Sequence, residues 1–182
     1  EDSAGKTTTQ DFTLTITPVT DPPKIVDITL EGNSIVSTVV EIDEDSKTGL
    51  ITIQIDHPDA TAGNPEEVTL SVQSQNQILI PDNTTPNAYV LLNGNKATSI
   101  TINLTGNSVN IPLVLTPPEN TTGTEEIIVK LEETEDSPQS VQKLFTLIVN
   151  DVNDAPVIEN VLEGGSAPTE ITIDEDGSTG DI

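Results

Sequence analysis

Cysteine, methionine, tryptophan and arginine are all missing from this chain of 182 residues. Without cysteine no disulfide can staple the fold and no thiolate can hold zinc, although the absence is neutral about redox compartment. Aromatic side chains are scarce: Phe12, Tyr89 and Phe145 are the whole set, so a core must be built from aliphatic residues. Positive charge is scarce too, with six lysines against 31 acidic residues and a formal charge of -25. Such a chain is repelled at long range by nucleic acid and by anionic membranes, and a cation is its natural counterpart. No run of about 18 apolar residues occurs, which argues against membrane insertion through a helix. The chain opens on Glu1-Asp2-Ser3 and not on a basic and apolar leader, so the expectation is an internal piece of something longer. The single imidazole, His57, stands in Asp56-His57-Pro58-Asp59, where it reads as a turn residue among hard oxygen groups. Ser-His-Asp catalysis would have to use that histidine, and no nucleophile elbow accompanies it, so the protein reads as a non-enzyme.

What is present in quantity is patterned oxygen. The strand-like run Leu144-Phe145-Thr146-Leu147-Ile148-Val149 leads into Asp151-Val152-Asn153-Asp154-Ala155-Pro156. Oxygen-bearing side chains at Asp151, Asn153 and Asp154, closed by a proline that keeps the following chain extended, make a compact anionic joint suited to a hard cation. A degraded copy stands earlier, where Phe12-Thr13-Leu14 runs on to Val19-Thr20-Asp21-Pro22-Pro23, with Pro18 and Thr20 in place of Asp151 and Asn153. The repetition is wider than the joint. Glu1 matches Glu135, Phe12 matches Phe145, Leu30 matches Leu162 and Ile42 matches Ile173, at offsets of 134, 133, 132 and 131. The drift by single residues keeps register, so the period belongs to a tandem array. Residues 1–22 then read as the last strand of a preceding module, 23–155 as a complete module and 156–182 as the first strand region of a following one.

Within the complete module the pattern is of strands and turns, with no helical period. Residues Ile25 to Glu31 and Val36 to Ile42 read as a first strand interrupted near Gly32-Asn33. Alternation at Ile51, Ile53 and Ile55 marks a second, and further strands fall at Val68 to Val72, Ile100 to Leu104, Val109 to Leu115, Ile127 to Leu131 and Phe145 to Val149. Asn93-Gly94 supplies the positive φ angles of a tight hairpin after Tyr89 to Leu92. The expected fold class is all-β: an antiparallel Ig/cadherin-like sandwich of about seven strands. In such a sandwich alternate connections gather at alternate ends. The C-terminal pole is expected to hold Asp43-Glu44-Asp45, the Pro117-Pro118-Glu119-Asn120 loop and Asp151, Asn153 and Asp154. The N-terminal pole is expected to hold Asp56-His57-Pro58-Asp59 beside Asp21.

These residues together resemble the long cadherin-like repeats of large bacterial extracellular adhesins of the RTX type. The resemblance is carried by Phe145 to Val149 with Asp151 to Pro156, by Ile42-Asp43-Glu44-Asp45, by Asp56-His57-Pro58-Asp59 and by Leu115-Thr116-Pro117-Pro118-Glu119-Asn120 leading to Gly123. It implies calcium bound between consecutive modules, with Glu44, Glu119, Asp151, Asn153 and Asp154 as metal ligands from this module. A two-Asp loop of the next module would complete that site, and at the first joint the carried-over ligands are Asp21, Asp56 and Asp59. It also implies an extracellular or cell-surface stalk, rigidified by calcium, whose partners are the adjacent modules of the same chain while the adhesive target is carried by other domains. Two other classes stay open at the level of sequence: a carbohydrate- or ligand-binding sandwich, for which Tyr89 would be the stacking ring, and a self-assembling fibre subunit joined by strand exchange.

Overall fold

The structure, a computed structural model, describes residues 3–16, 19–80, 87–134 and 138–154. The chain divides into two units, 1–151 and 152–182. In the first unit, residues 3–16 carry no regular structure, and β1 (Lys24–Leu30) opens the fold. There follow β2 (Asn33–Ser34), β3 (Val39–Asp43), β4 (Ile51–Asp56), β5 (Glu66–Ser74), β6 (Tyr89–Leu92), β7 (Asn95–Lys96), β8 (Ser99–Leu104), β9 (Val109–Thr116), β10 (Gly123–Glu133) and β11 (Ser140–Asn150). One sheet runs β2-β1-β4-β9-β6-β7 and the other β3-β11-β10-β5-β8. The result is an all-β sandwich. The region expected to open a following module, 156–182, lies outside the described residues.

Period-two alternation builds the core. Ile51, Ile53 and Ile55 of β4 and Ile111, Leu113 and Leu115 of β9 are buried from one sheet. From the other come Val68, Leu70 and Val72 of β5, Ile127, Val129 and Leu131 of β10, and Phe145, Leu147 and Val149 of β11. Phe145 is the one fully buried aromatic among the described residues, so aliphatic branching fills the space between the sheets as the composition requires.

The opening of the module differs from the single interrupted strand expected there. Glu31 and Gly32 both adopt positive φ (51 and 82°), folding β2 back on β1 in a tight hairpin. Ser37, with φ of 57°, then turns the chain across to the second sheet. There β3 pairs with β11 in parallel, from Val39 beside Thr146 to Asp43 beside Asn150. The pairing is therefore mixed and not wholly antiparallel: the chain reverses once more after β2, and β3 runs in the same direction as β11. The Asn93-Gly94 hairpin is present as the sequence required, with φ of 51 and 78° and Leu92 opposite Asn95.

The poles follow from register. Lys24 at the start of β1 lies opposite Asp56 at the end of β4, and Glu132 of β10 lies opposite Ser140 at the start of β11. β11 then runs its 11 residues to Asn150 beside Asp43. The chain thus enters the sandwich at one end and leaves at the other, about 35 Å away along β11.

Candidate functional site

At the C-terminal pole, β3 and β11 finish side by side and deliver Glu44 and Asp151 from neighbouring strand ends. The Glu44 backbone N–H donates to Asn150 O at 2.9 Å, and the Glu44 residue is buried. The turn that follows is fastened by the Ser46 hydroxyl, which donates to Asp43 O. Asp45, with φ of 58°, presents Oδ1 to the Asn120 backbone N–H at 2.8 Å, and so ties this turn to the loop bearing Glu119. Glu119 Oε1 accepts from Asn87 Nδ2 at 3.1 Å. Asp45 and Glu119 thus take hydrogen bonds from neutral donors, which leave their charge uncompensated by those contacts. Asn153 and Asp154 fall in the second unit, where Asn153 Nδ2 donates to Asp154 O at 3.4 Å.

At the N-terminal pole, Asp21 and Asp59 meet directly. The Asp21 backbone N–H donates to Asp59 Oδ2 at 2.7 Å. Asp56 is held nearby through its register with Lys24. Among the described residues, no group of three or more His, Asp or Glu side chains is gathered closely enough to hold a metal ion at either pole.

His57 is buried, as is Glu133, and its Nε2 lies 3.2 Å from Glu133 Oε1. Because the Asp59 backbone N–H must donate, its approach to His57 Nδ1 at 3.3 Å makes Nδ1 the acceptor and leaves Nε2–H to donate to Glu133. The histidine is therefore more than a turn residue: it joins the β4–β5 loop to the end of β10. Glu133 Oε2 in turn accepts from the Gln139 backbone N–H at 2.9 Å. A second buried carboxylate, Glu125, accepts from the Ser74 hydroxyl and from the backbone N–H groups of Ile78 (3.0 Å) and Leu79 (3.2 Å).

Neither glutamate was singled out by sequence reasoning, although the signal was available. Glu125 and Glu133 lie in phase with Ile127, Val129 and Leu131 on β10, and an acid at an inward position has to find donors. Tyr89 is half-buried, and the Lys96 ammonium sits over its ring at 4.2 Å from the centroid, so one face is already covered by a cation. Lys130, on the outward phase of β10, pairs with Glu132 at 2.8 Å.

No family model matches the chain, and no curated protein does. Among solved structures, a family 123 glycoside hydrolase from Clostridium perfringens is 12% identical with a TM-score of 0.51. The match covers 72% of this chain and 28% of the hydrolase, so the chain spans well under a third of that protein. The PapD-like domain 7 of human CEP192 is 8% identical over 80% of this chain and 100% of that one, with a TM-score of 0.44. The adhesin CfaE of enterotoxigenic E. coli is 15% identical over 71% of this chain and 49% of that one, with a TM-score of 0.36. At 12% identity the likeness to the hydrolase is one of fold alone.

Proposed function

We propose that the chain is a spacer from an extracellular or cell-surface adhesin, a non-enzymatic module that extends and separates other domains and is stiffened by calcium at its joints. The observation that carries this reading is the path of the chain, which enters the sandwich at Lys24 and leaves at Asn150 at the opposite end. A module threaded in this way sits in series and passes tension from one neighbour to the next. The tandem repeat in the sequence supports the same reading, as does the joint-like sequence on either side of the sandwich.

Calcium would be held at the C-terminal pole by Glu44, Glu119, Asp151, Asn153 and Asp154, together with carboxylates from the module that follows. The ion would supply charge neutralisation and a shared point of attachment, which mutually repelling carboxylates cannot supply by themselves. Hard oxygen donors and roughly six to eight ligands favour calcium over magnesium, which holds its water more tightly. A ligand-binding sandwich is the weaker alternative, because the half-buried Tyr89 ring already carries Lys96.

Thermal unfolding in calcium, in magnesium and in chelator tests the proposal. Calcium at a hundredfold excess over its dissociation constant adds about 2.7 kcal/mol to the folded state, and the midpoint rises accordingly while magnesium has little effect. Identical midpoints under all three conditions would sink the calcium reading.

A further inference from the structure

We infer that the N-terminal joint is a hydrogen-bonded clasp that fixes the direction of the incoming chain without a metal ion, with His57, Glu133, Gln139 and Asp59 as its positioning residues. The inference deepens the spacer reading and rests on it for the meaning of joint direction. The geometry comes from two arms that share one buried anchor. In the first, His57 Nδ1 accepts from the Asp59 backbone N–H at 3.3 Å, and Asp59 Oδ2 accepts from the Asp21 backbone N–H at 2.7 Å. In the second, His57 Nε2 donates to Glu133 Oε1 at 3.2 Å and Glu133 Oε2 accepts from the Gln139 backbone N–H at 2.9 Å. Gln139 Nε2 then donates to Thr20 O at 2.9 Å. The incoming segment is thus held at two successive residues, on opposite backbone polarities, by groups that both lead back to a buried His57–Glu133 pair.

The segment is also stiff. Asp21 precedes Pro22, which confines it to extended backbone, and Pro22 and Pro23 have fixed φ. Pro23 is buried against the sandwich. Pro18 and Thr20 occupy the positions that Asp151 and Asn153 hold at the other joint, so two oxygen ligands are missing where the hydrogen bonds are present. One oxygen of Asp59, a carried-over ligand, is committed to the Asp21 amide. The two joints of one module are therefore built on different chemistry.

Amide hydrogen exchange followed by NMR on the 182-residue chain tests this, in chelator and in calcium. The Asp21 amide is expected to exchange about tenfold more slowly than an unbonded amide in chelator, and calcium leaves that rate unchanged. D59A removes the protection while D59N, which keeps an acceptor oxygen and loses only the charge, retains it. Q139A speeds the exchange of Asp21 part of the way, with the β11 amide of Leu147 as the marker of an intact fold. Free exchange of Asp21 in chelator, protection that appears on adding calcium, or protection that survives D59A would each overturn the clasp. Should D59A unfold, as Leu147 would report, the comparison of chelator with calcium on the unaltered chain decides the matter. Calcium-induced shifts of the Glu44 and Asp151 amides report separately on the C-terminal pole; their absence would overturn the calcium reading and leave the clasp standing on Asp21.

Discussion

Glu125 shows what one inward carboxylate can do in a largely aliphatic core. It sits at a core position of β10 and holds the chain after β5 by accepting from Ser74, Ile78 and Leu79. Truncation to alanine would leave the buried Leu79 N–H, the buried Ser74 hydroxyl and the part-buried Ile78 N–H without this acceptor, and each fully buried loss costs about 1–3 kcal/mol. E125A should therefore lower stability by about 2–4 kcal/mol in denaturant titration, and E125Q, which keeps one acceptor oxygen, should recover part of it. Asp27 acts at the surface. Its carboxyl titrates below the ordinary 3.8, chiefly because the Ser34 hydroxyl donates to Oδ1 at 2.6 Å, with the Ile28 N–H and the charge of Lys143 adding to the effect and burial opposing it. A depressed carboxyl contributes stability that is present above its unfolded value and is lost as pH falls through its folded value. S34A should thus shrink the loss of stability seen on acidification below about pH 4, and the change is small because water screens an exposed group. An acid limb unaltered in S34A would show that this bond does not set the titration.

Elements were more legible than the connections between them. Alternating isoleucines, valines and leucines marked β4, β5 and β8 to β11, and Asn93-Gly94 marked the β6–β7 hairpin, because both signals are local in the chain. The switch of β3 into the second sheet was not legible: it depends on Glu31 and Ser37 taking positive φ, and neither residue type advertises that conformation. The parallel β3–β11 pair follows from that switch and involves residues about 107 apart, as in Val39 with Thr146. At the poles, the turn and loop acids were readable from topology, whereas the buried His57–Glu133 pair needed an inward acid to be weighed as carefully as an outward one. The repeat offers a direct test of how context decides burial. Phe12, Leu14 and Ile16 are 85, 74 and 80% exposed, while their counterparts Phe145, Leu147 and Val149 are 0, 0 and 3% exposed between β3 and β10. F145A should cost about 3–5 kcal/mol and F12A less than about 0.5 in this chain, as measured by chemical unfolding. Equal losses would mean that the N-terminal copy is packed in solution.

At the scale of the whole molecule, the proposed spacer role would depend on how rigidly the direction of one module is handed to the next. Carboxylates that lie within the Debye length of about 8 Å at physiological ionic strength repel one another with only partial screening, and Asp151 and Asp154 are neighbours in the sequence of the C-terminal joint. Without a cation that joint should bend freely. At the N-terminal joint, where Asp59 and Gln139 already bond the incoming backbone, calcium has less left to fix. A longer chain carrying two complete modules, joined through Asp151 to Pro156, separates these effects. In small-angle scattering its maximum dimension should be larger and more narrowly distributed in calcium than in chelator. D151A combined with D154A should abolish the difference while leaving the unfolding midpoint in chelator close to that of the parent, since both substitutions lie outside the core. Superimposable profiles of the parent with and without calcium would show that the ion, even if bound, does not set the angle, and stiffness would then have to come from contacts of the kind found around Asp21.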